Sequence, residues 1–396
     1  MKTVLVSGAS VAGLTLAYWL RRNGFAPTVV ERAPSVRPGG QAIDVRGAAL
    51  DVLDRTGILD DARGVRTRLR GMAMLDGEGN EQWRSTEKTF SGGRLDSADI
   101  ELLREDLTGL LYERALAEGV EFLFGDSIAA LDEAPHGAHA QDAQHPQHIR
   151  VGFEQSSTRT FDLVVGADGL HSKVRQLAFG PEHAFIRHLG AYLTVFSTEN
   201  FLELDNWELW LNADSVSYCL YPVRDNSELR ATLGFTSEPI AYDHRDTEAQ
   251  KALMADRLAH VGWETPRLLK AMREAPDFYF DAMAQIHMDH WSRGRVALVG
   301  DAGYCASPLS GQGTSLALVG AYVLADELGK AGGGDHTAAF ARYEARMRPF
   351  VELNQALVGE NAGGMPSDES MDRAKNGISL DEPDSGDRAP HPATTN

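Results

Sequence analysis

Three observations predict an α/β fold in which a parallel-sheet domain carries an inserted antiparallel sheet and C-terminal helices. The chain opens with a short apolar strand, a glycine-rich turn and an amphipathic helix over residues 3–24, and a second strand follows. Residues 184–286 instead contain alternating strand-like segments that are rich in aromatic side chains. At residues 294–328 a buried strand, a Pro/Gly loop and a long helix of small residues return to the first type of pattern.

Length and composition predict a two-lobed enzyme. The chain has 396 residues, which exceeds the size at which a single hydrophobic core stops growing. Its 43% hydrophobic and 24% charged residues are typical of a soluble enzyme, and its net charge of −19 disfavours nucleic acid and anionic membranes as partners. The two cysteines, Cys219 and Cys305, exclude a disulfide framework and fit a reducing compartment. We therefore expect a cytoplasmic monomer or homodimer with no metal site and no membrane span.

The pattern along the chain divides it into a discontinuous first domain, an inserted domain and a tail. The predicted boundaries are residues 1–69, 98–183 and 287–365 for the first domain, 70–97 and 184–286 for the inserted domain, and 366–396 for a partly disordered tail. Residues 134–148 hold four histidines without a Cys or carboxylate partner at ligand spacing. We therefore expect a solvated surface loop there rather than a metal site.

The first motif is a Rossmann-type turn between the first strand and the first helix. Glycine is needed there for the tight turn and for close approach of the backbone to a pyrophosphate, while the helix N-terminus offers free N–H groups to the anion. Ser10 replaces the second glycine of the usual pattern, and Ala12 in place of Gly excludes the hydrolase elbow G-x-S-x-G. The predicted phosphate-binding residues are Gly8, Ser10, Val11, Ala12 and Gly13.

A carboxylate stands at the end of the second strand. Glu31 lies about 20 residues beyond Gly8, where a carboxylate accepts hydrogen bonds from an adenosine ribose and repels a 2′-phosphate. This position favours FAD or NAD over NADP as the bound dinucleotide. Arg32 is expected either to lie against the adenine or to pair with a neighbouring acid. A solvated carboxylate at a strand end is the weaker alternative, because strand, turn and spacing agree.

The segment DLVVGADGLHSKVR, residues 162–175, is a hydrophobic strand followed by an Asp-Gly turn and a helix start. Asp168 in that turn is predicted to bind the cofactor. An ordinary strand-to-helix turn with Ser172 as helix cap would show the same pattern, and the sequence leaves this alternative open.

The segment at residues 294–328 carries an acid at the end of a buried strand. That position allows a carboxylate to accept hydrogen bonds from a ribityl chain, and the following helix would direct its positive end toward the edge of a flavin ring. The predicted cofactor-binding residues are Asp301, Pro308, Gly311, Gln312 and Gly313. This loop and the turn at Gly8 are separated by most of the chain. Two nucleotide-type loops so far apart indicate one long cofactor, such as FAD.

These motifs, in this order and spacing, resemble the class A flavoprotein monooxygenases of the para-hydroxybenzoate hydroxylase-like fold. The resemblance covers about residues 1–350, and the tetracycline-inactivating and polyketide-tailoring enzymes are the most similar subgroup. In that family the three motifs bind FAD. Two further matches, GGQAIDVRG and LLREDL, imply that Asp44, Arg46 and Arg104 also lie at the flavin.

Two residues depart from the family pattern. Ser10 stands in place of glycine in the first turn, and Tyr304 stands where the family usually has histidine. The second departure weakens any chemical role for position 304.

The resemblance implies an NAD(P)H-consuming monooxygenase that hydroxylates an aromatic or polycyclic small molecule through a C4a-hydroperoxyflavin, in antibiotic biosynthesis or inactivation. FAD would carry the chemistry, with NADPH or NADH as reductant and O2 as co-substrate. No residue has a certain catalytic role, although Arg46 is a candidate. Such a site needs a dry cavity. The aromatic side chains predicted to line it, each alternatively an ordinary sheet-core residue, are Tyr192, Trp210, Tyr218, Tyr221 and Phe235.

Other flavoprotein activities share the same cofactor motifs. A flavin-dependent dehydrogenase without oxygen insertion and a Baeyer–Villiger oxygenase both stay open as alternatives. A flavin halogenase should carry W-x-W-x-I-P, and WELWLN at residues 207–212 has the wrong spacing. A non-catalytic FAD-bound protein would need an interaction motif, and we find none in the sequence.

Overall fold

A computed structural model describes residues 1–89, 93–132, 148–359 and 366–381. The strands within them are β1 (Thr3–Ser7), β2 (Ala26–Glu31), β3 (Ala42–Val45), β4 (Gly71–Leu75), β5 (Glu81–Ser85), β6 (Lys88–Thr89), β7 (Gly93–Arg94), β8 (Ile100–Leu103), β9 (Glu121–Phe124), β10 (Ile128–Asp132), β11 (Ile149–Phe153), β12 (Arg159–Phe161), β13 (Leu163–Gly166), β14 (Ile186–Glu199), β15 (Trp207–Ala213), β16 (Val216–Val223), β17 (Glu228–Thr236), β18 (Tyr279–Ile286), β19 (Ser292–Arg293) and β20 (Val296–Leu298). The α-helices are α1 (Val11–Arg22), α2 (Ala48–Thr56), α3 (Leu59–Gly64), α4 (Arg104–Ala117), α5 (Lys173–Phe179), α6 (Thr247–Leu258), α7 (Thr265–Glu274), α8 (Asp301–Tyr304), α9 (Gly313–Lys330), α10 (His336–Ala356) and α11 (Asp368–Lys375). Single 3-10 turns cover Glu182–Ala184 and Pro308–Ser310.

The first domain is built on a six-stranded sheet in the order β19-β20-β13-β1-β2-β9. The strands from β20 to β9 run parallel, and β19 pairs antiparallel with β20. Val4, Leu5 and Val6 on β1 are fully buried, as expected for a parallel sheet covered by helices. The predicted cofactor loops follow the carboxyl ends of four neighbouring strands, β20, β13, β1 and β2. In open parallel sheets, ligands bind at that edge.

The second large sheet has the order β18-β14-β17-β16-β15-β4-β5. Its neighbours pair antiparallel except for β15 and β4, which are parallel. Because side chains alternate along a strand, Tyr218 and Leu220 pack in a core with α6 and α7, whereas Cys219 and Tyr221 pack with Leu103 of the first domain. The face of this sheet opposite α6 and α7 therefore adjoins the cofactor-binding domain.

The tail that the sequence predicts to be partly disordered contains helix α11. Asn354 Nδ2 on α10 donates a hydrogen bond to the Ala374 carbonyl oxygen at 3.2 Å, and Lys375 Nζ lies 3.0 Å from Asp99 Oδ2. These contacts hold α11 against the first domain although its composition is polar. Residues 382–396, for which disorder is predicted, lie outside the described residues.

Neither a metal centre nor a membrane span is seen in the part of the chain that the structure describes. Within it, no three His, Cys, Asp or Glu side chains are grouped so as to hold a metal ion. Of the described helices, none combines the length and the apolar character needed to cross a bilayer. Most of the histidine-rich segment falls in residues 133–147, which lie outside the described residues.

Candidate active site

The N-terminal turn has the close backbone contacts that a dinucleotide-binding loop requires. Gly8 has a φ of 106°, and a Cβ there would lie 2.5 Å from the Ala167 carbonyl oxygen. A Cβ at Gly13 would overlap the Gly8 carbonyl oxygen. Only glycine therefore fits both positions without moving the backbone.

Helix α1 begins directly after this turn. Its N-cap Ser10 makes no side-chain hydrogen bond to the helix, and Val11 and Ala12 at its start are buried. The first N–H groups of a helix lack partners within the helix, and the helix dipole is positive at this end. The turn thus presents a suitable place for a phosphate, the role that the sequence predicts for residues 8–13.

Glu31 accepts hydrogen bonds from one backbone N–H of the same turn and from one that follows β2. Its Oε2 accepts a hydrogen bond from Ala9 N–H and its Oε1 accepts one from Ala33 N–H, each at 2.9 Å. Each oxygen of an ionised carboxylate has a further lone pair, so both can still accept from ribose hydroxyls. The side chain is buried, whereas neighbouring Arg32 is exposed. The expected contact of Arg32 with adenine stays a prediction.

Asp168 organises the turn after β13. Its carboxylate accepts from Ser172 Oγ at 2.5 Å and from Val174 N–H at 3.0 Å, and burial raises its pKa above the ordinary value. Ser172 in turn caps helix α5 by accepting from Arg175 N–H at 2.9 Å. The helix-cap interpretation of this segment is therefore correct for Ser172. A contact between Asp168 and the cofactor stays a prediction.

The loops at the two ends of the chain meet at Gly300. This residue has a φ of 65°, and a Cβ there would lie 3.1 Å from Ala12 Cβ and 3.7 Å from Ala317 Cβ. The next residue, Asp301, begins α8 and is exposed, and its Oδ1 would lie 4.0 Å from a Cβ at Gly313. The protein packed around this carboxylate reduces its hydration, which raises its pKa. The acid that follows β20 thus lies beside the start of α9, and its contact with the cofactor stays a prediction.

The loop before α9 is strained and lies beside an ion pair. Ser307 has a φ of 74°, a conformation that favours glycine, and Pro308 follows it. A Cβ at Gly311 would lie 3.9 Å from both Asp44 Oδ2 and Arg46 Nη2. The next residue in the loop, Gln312, is fully buried at the N-cap of α9.

Asp44 and Arg46 form a buried ion pair of 2.9 Å at this loop. Burial raises the pKa of Asp44 to about 7, and repulsion from Glu101 and Asp99 contributes, although the Arg46 charge acts in the opposite direction. The Arg46 N–H also donates to Ser315 Oγ on α9 at 3.1 Å. The segment that resembles the family's flavin loop is therefore attached to the helix expected to face the flavin.

Arg104 holds the glycine loop that precedes this ion pair. Its Nη2 donates to the Gly39 carbonyl oxygen at 2.7 Å, and burial lowers its pKa. Glu105, which sequence reasoning missed, accepts from Gly39 N–H at 2.6 Å. Its position beside Arg104 in LLREDL was the available signal. A direct contact between Arg104 and FAD stays a prediction.

The structure divides the five aromatic side chains predicted to line a substrate cavity between the two faces of the second sheet. Tyr192, Tyr218 and Phe235 belong to the core that the sheet forms with α6 and α7. These three residues therefore have the sheet-core environment that the sequence gives as the alternative, because that face is covered by helices. Trp210 and Tyr221 lie on the opposite face, where the Tyr221 hydroxyl accepts from Ala42 N–H at 2.7 Å.

Tyr304 points into the core of the first domain. Its hydroxyl lies 2.9 Å from the Tyr343 hydroxyl, and a Cβ at Gly320 on α9 would overlap it. The ring packs against Trp291 at 4.6 Å between centroids. Tyr304, which departs from the family pattern, is therefore part of the hydrophobic core of the first domain.

Two further residues at the site received no cofactor role from the sequence. Arg175 is fully buried, and its guanidinium donates to the Ala302 carbonyl oxygen at 2.9 Å, which joins the Asp-Gly turn to α8. Tyr279 on β18 is 41% exposed. Its hydroxyl donates to Asp281 Oδ2 at 2.9 Å, and the loss of hydration around that hydroxyl, followed by the Asp281 charge, raises its pKa.

The segment around Tyr279 adjoins both α8 and the Gly39 loop, since Cys305 Sγ lies 3.6 Å from the Ala284 carbonyl oxygen and a Cβ at Gly39 would lie 2.8 Å from Asp277 Cβ. We call the surface between β18, the Gly39 loop and Asp301 the cofactor groove.

The residues at this edge fit an extended dinucleotide. At the end of β1, the glycine positions of the turn leave the backbone open to a pyrophosphate. At the end of β2, the Glu31 carboxylate has further lone pairs that can accept hydrogen bonds. A second carboxylate, accessible and beside a helix start, stands after β20. This donor and acceptor set matches the pyrophosphate, adenosine ribose and ribityl groups of FAD.

Comparison with known proteins agrees with this geometry. The chain matches the family described as FAD binding domain over residues 1–356. It is 54% identical over 382 residues to an uncharacterised protein of Mycobacterium tuberculosis, covering 96% of this chain and 99% of that protein. It is 40% identical over 352 residues to a flavin-dependent monooxygenase of Legionella longbeachae, covering 89% and 86% of the two chains.

Solved structures show the same relationship. The crystal structure of tetracycline destructase Tet(55) superposes with a TM-score of 0.82 at 39% identity, covering 96% of this chain and 99% of that one. Together with the family match, this agreement confirms the predicted fold class and FAD as the cofactor. The chain therefore belongs to the FAD binding domain family and is a FAD-dependent monooxygenase of the class A type.

Proposed function

We propose that the protein uses NADPH or NADH to hydroxylate an aromatic or polycyclic small molecule of the polyketide or tetracycline type. In the balanced reaction, NAD(P)H, a proton, O2 and the substrate yield NAD(P)+, water and the substrate with one C–H converted to C–OH. FAD, when bound, supplies the redox and oxygen chemistry. The names and similarity of the relatives support the reaction class, and one feature of the groove supports the substrate class.

That feature is an apolar surface at the groove. The large exposed hydrophobic side chains in the described residues are Met1, Val65, Trp83, Leu95, Leu116, Leu177, Tyr279 and Leu309. Leu309, 47% exposed, lies in the loop that precedes α9, and Tyr279 lies on the inserted sheet. The two elements adjoin, since Ser307 Oγ lies 3.9 Å from Met283 Sδ on β18, and exposed apolar side chains on adjoining elements favour an apolar ligand beside them.

The surrounding residues would bind and orient the reactants. Asp44 and Arg46 lie beside Gly311 as a buried pair, at the loop that precedes α9. Leu309 would exclude water from the ring's reacting edge. Asp301 would hold a hydroxylated chain of the cofactor through hydrogen bonds.

The test is reduction and product analysis of the FAD-loaded protein. Phenols, quinones and tetracyclic polyketides are mixed with it under NADPH or NADH, and flavin reduction, O2 uptake and product mass are measured. We expect at least one of them to accelerate reduction and to gain one oxygen atom at a carbon that carried hydrogen. NAD(P)H oxidation without an oxygenated product indicates a dehydrogenase, and insertion beside a carbonyl indicates a Baeyer–Villiger enzyme; either result contradicts the proposal.

A matched pair of leucine variants tests the apolar wall. Leu309→Ala should raise the KM for the substrate by about fivefold, because it removes apolar contact area worth about 1 kcal/mol. Leu177→Ala, at an exposed position of α5, should leave KM unchanged. Equal KM values for the two variants would remove Leu309 from the substrate site.

A further inference from the structure

A buried carboxylate of the inserted sheet binds several donors at the boundary with the first domain. Asp281 on β18 is 7% exposed. Its Oδ1 lies 3.0 Å from His171 Nε2 and accepts from the Tyr242 hydroxyl at 2.9 Å. Its Oδ2 accepts from the Tyr279 hydroxyl at 2.9 Å. One carboxylate thus joins a histidine of the first domain to a tyrosine in the cofactor groove.

The second nitrogen of that histidine faces another carboxylate. His171 Nδ1 lies 3.0 Å from Glu182 Oε1. A neutral imidazole can donate from only one nitrogen, so the doubly protonated form matches two carboxylate partners. Burial acts to lower the pKa of His171, but hydrogen bonds and charges of Asp281 and Glu182 outweigh it and raise the pKa to about 9. His171 is therefore a cation at neutral pH.

Both carboxylate partners are themselves anchored. Glu182 Oε2 accepts from Arg175 Nη2 at 2.9 Å, and the same guanidinium donates to the Ala302 carbonyl oxygen of α8. Asp281 accepts, in addition, from Ala282 N–H at 2.8 Å. The chain of contacts therefore runs from α8 through Arg175, Glu182, His171 and Asp281 to Tyr279 without a gap longer than 3.0 Å.

We propose that His171, between Glu182 and Asp281, is a positioning residue that ties the inserted sheet to the FAD-binding sheet and, through Asp281, holds the Tyr279 ring facing the FAD site. This role requires FAD in the groove, as the proposed function does, but it requires no oxygenation reaction. It also explains why Tyr279 is exposed although its hydroxyl is bound: the ring remains available to the cofactor.

The groups around His171 determine whether its pKa is raised or lowered, and therefore how its contribution to stability changes with pH. Glu182 faces it from the 3-10 turn and Asp281 from β18, while His244 stacks on its ring at 4.8 Å between centroids. Arg175 on α5 pairs with Glu182. Burial and then the His171 charge lower the pKa of His244, with Arg245 also lowering it and Asp243 opposing, so His244 adds no second cation at neutral pH. The stack is therefore between a charged and a neutral ring.

The pKa of His171 in the folded protein exceeds the value of about 6.5 in the unfolded chain. Its stabilisation is therefore fully present below pH 6.5, declines as pH rises above that value, and is lost as pH passes through about 9. Loosening of the bridge should change the environment of bound flavin over the same range.

The experiment measures the absorption spectrum and fluorescence of FAD bound to the protein from pH 6 to 9.5, together with the Kd for FAD at pH 7. The wild type should show a spectral step near pH 9. In His171→Gln the step should be absent and FAD binding about five- to tenfold weaker, the scale of one net hydrogen bond. His183→Gln, at an exposed position beside Glu182, is the matched control and should behave as the wild type.

Two more variants separate positioning from simple folding. Tyr279→Phe keeps the ring but removes one donor to Asp281, so it should reproduce the altered flavin spectrum while lowering the unfolding free energy of the FAD-free protein by no more than about 1 kcal/mol. His171→Lys keeps a cation, so its step should move to higher pH and its FAD affinity should stay within about twofold of the wild type. A step retained in His171→Gln, or equal losses of affinity in His171→Lys and His171→Gln, would overturn the proposal. A protein that passes these tests but oxygenates nothing would refute only the proposed function.

Discussion

The close contact between Gly13 and the N-terminal turn allows a sharp test of the cofactor loop. In Gly13→Ala the new methyl carbon would overlap the Gly8 carbonyl oxygen, 3.1 Å from its carbonyl carbon and 3.4 Å from Ala167 Cβ. The turn cannot yield freely, because Gly8 N–H is hydrogen-bonded to the Val30 carbonyl oxygen at 2.8 Å. The backbone must therefore move by on the order of 1 Å in a close-packed interior. Overpacking of this kind costs about 1–3 kcal/mol of unfolding free energy.

A glycine-to-alanine substitution at an uncrowded position should change the unfolding free energy in the opposite direction. Gly109 lies inside helix α4, and a Cβ there would meet no atom within 4 Å. Gly109→Ala should therefore stabilise the protein by about 0.5–1 kcal/mol, because alanine loses less backbone entropy in a helix. Urea unfolding of the FAD-free proteins, followed by circular dichroism, measures both changes.

FAD binding provides the second measurement. Gly13→Ala should weaken FAD binding by at least about tenfold, since a displaced turn loses aligned N–H donors worth more than 1.4 kcal/mol. Gly109→Ala should leave the Kd unchanged in a fluorescence titration. If both variants are stabilised, or if Gly13→Ala binds FAD normally, the argument for close packing at a phosphate-binding turn is refuted.

Three other substitutions test individual side chains. Asp301→Ala should lower FAD retention on gel filtration by about tenfold through loss of charge-assisted hydrogen bonds, and normal flavin content would remove Asp301 from the site. Tyr304→Phe should lower the unfolding free energy by about 1 kcal/mol, because Tyr343 loses a hydrogen-bond partner, and should leave flavin reduction unchanged; a slower reduction would indicate a chemical role. Arg46→Ala should slow flavin reduction by NAD(P)H, measured by stopped flow. Because the Arg46 charge lowers the pKa of Asp44, its loss should raise that pKa above about 7, so the variant should lose more unfolding free energy relative to the wild type at pH 8 than at pH 6. An unchanged reduction rate would place Arg46 away from the flavin.

The fold class, the family and the cofactor could be predicted because each is indicated by short sequence patterns within single segments of the chain. A strand, a glycine turn and a helix at the N-terminus identify the parallel sheet, and a second loop after β20 requires a long cofactor. The face on which Tyr218 or Phe235 lies was not predictable. Alternation places residues two apart on one side, but both sides of this sheet are buried, since Glu208 and Arg230 on the side opposite Tyr218 are buried too, and the packing of α6 and α7 distinguishes them.

Ion pairs between segments that are distant along the chain also could not be predicted from the sequence. His171 and Asp281 are 110 residues apart, and neither belongs to a motif that predicts the other. Ser172, by contrast, caps its own helix three residues away, and its role could be read directly from local spacing.

The packing of Gly300 against Ala12 has a consequence for how the chain is made. Strand β1 lies inside the sheet, between β13 and β2, so it cannot be fully covered until the segments beyond residue 313 have left the ribosome. At about 5–20 residues per second, the first βαβ unit waits roughly 15–60 s with apolar surface exposed. Flavin capture is therefore a late event in biogenesis, and chaperone binding during that interval would limit how much holoenzyme a cell obtains.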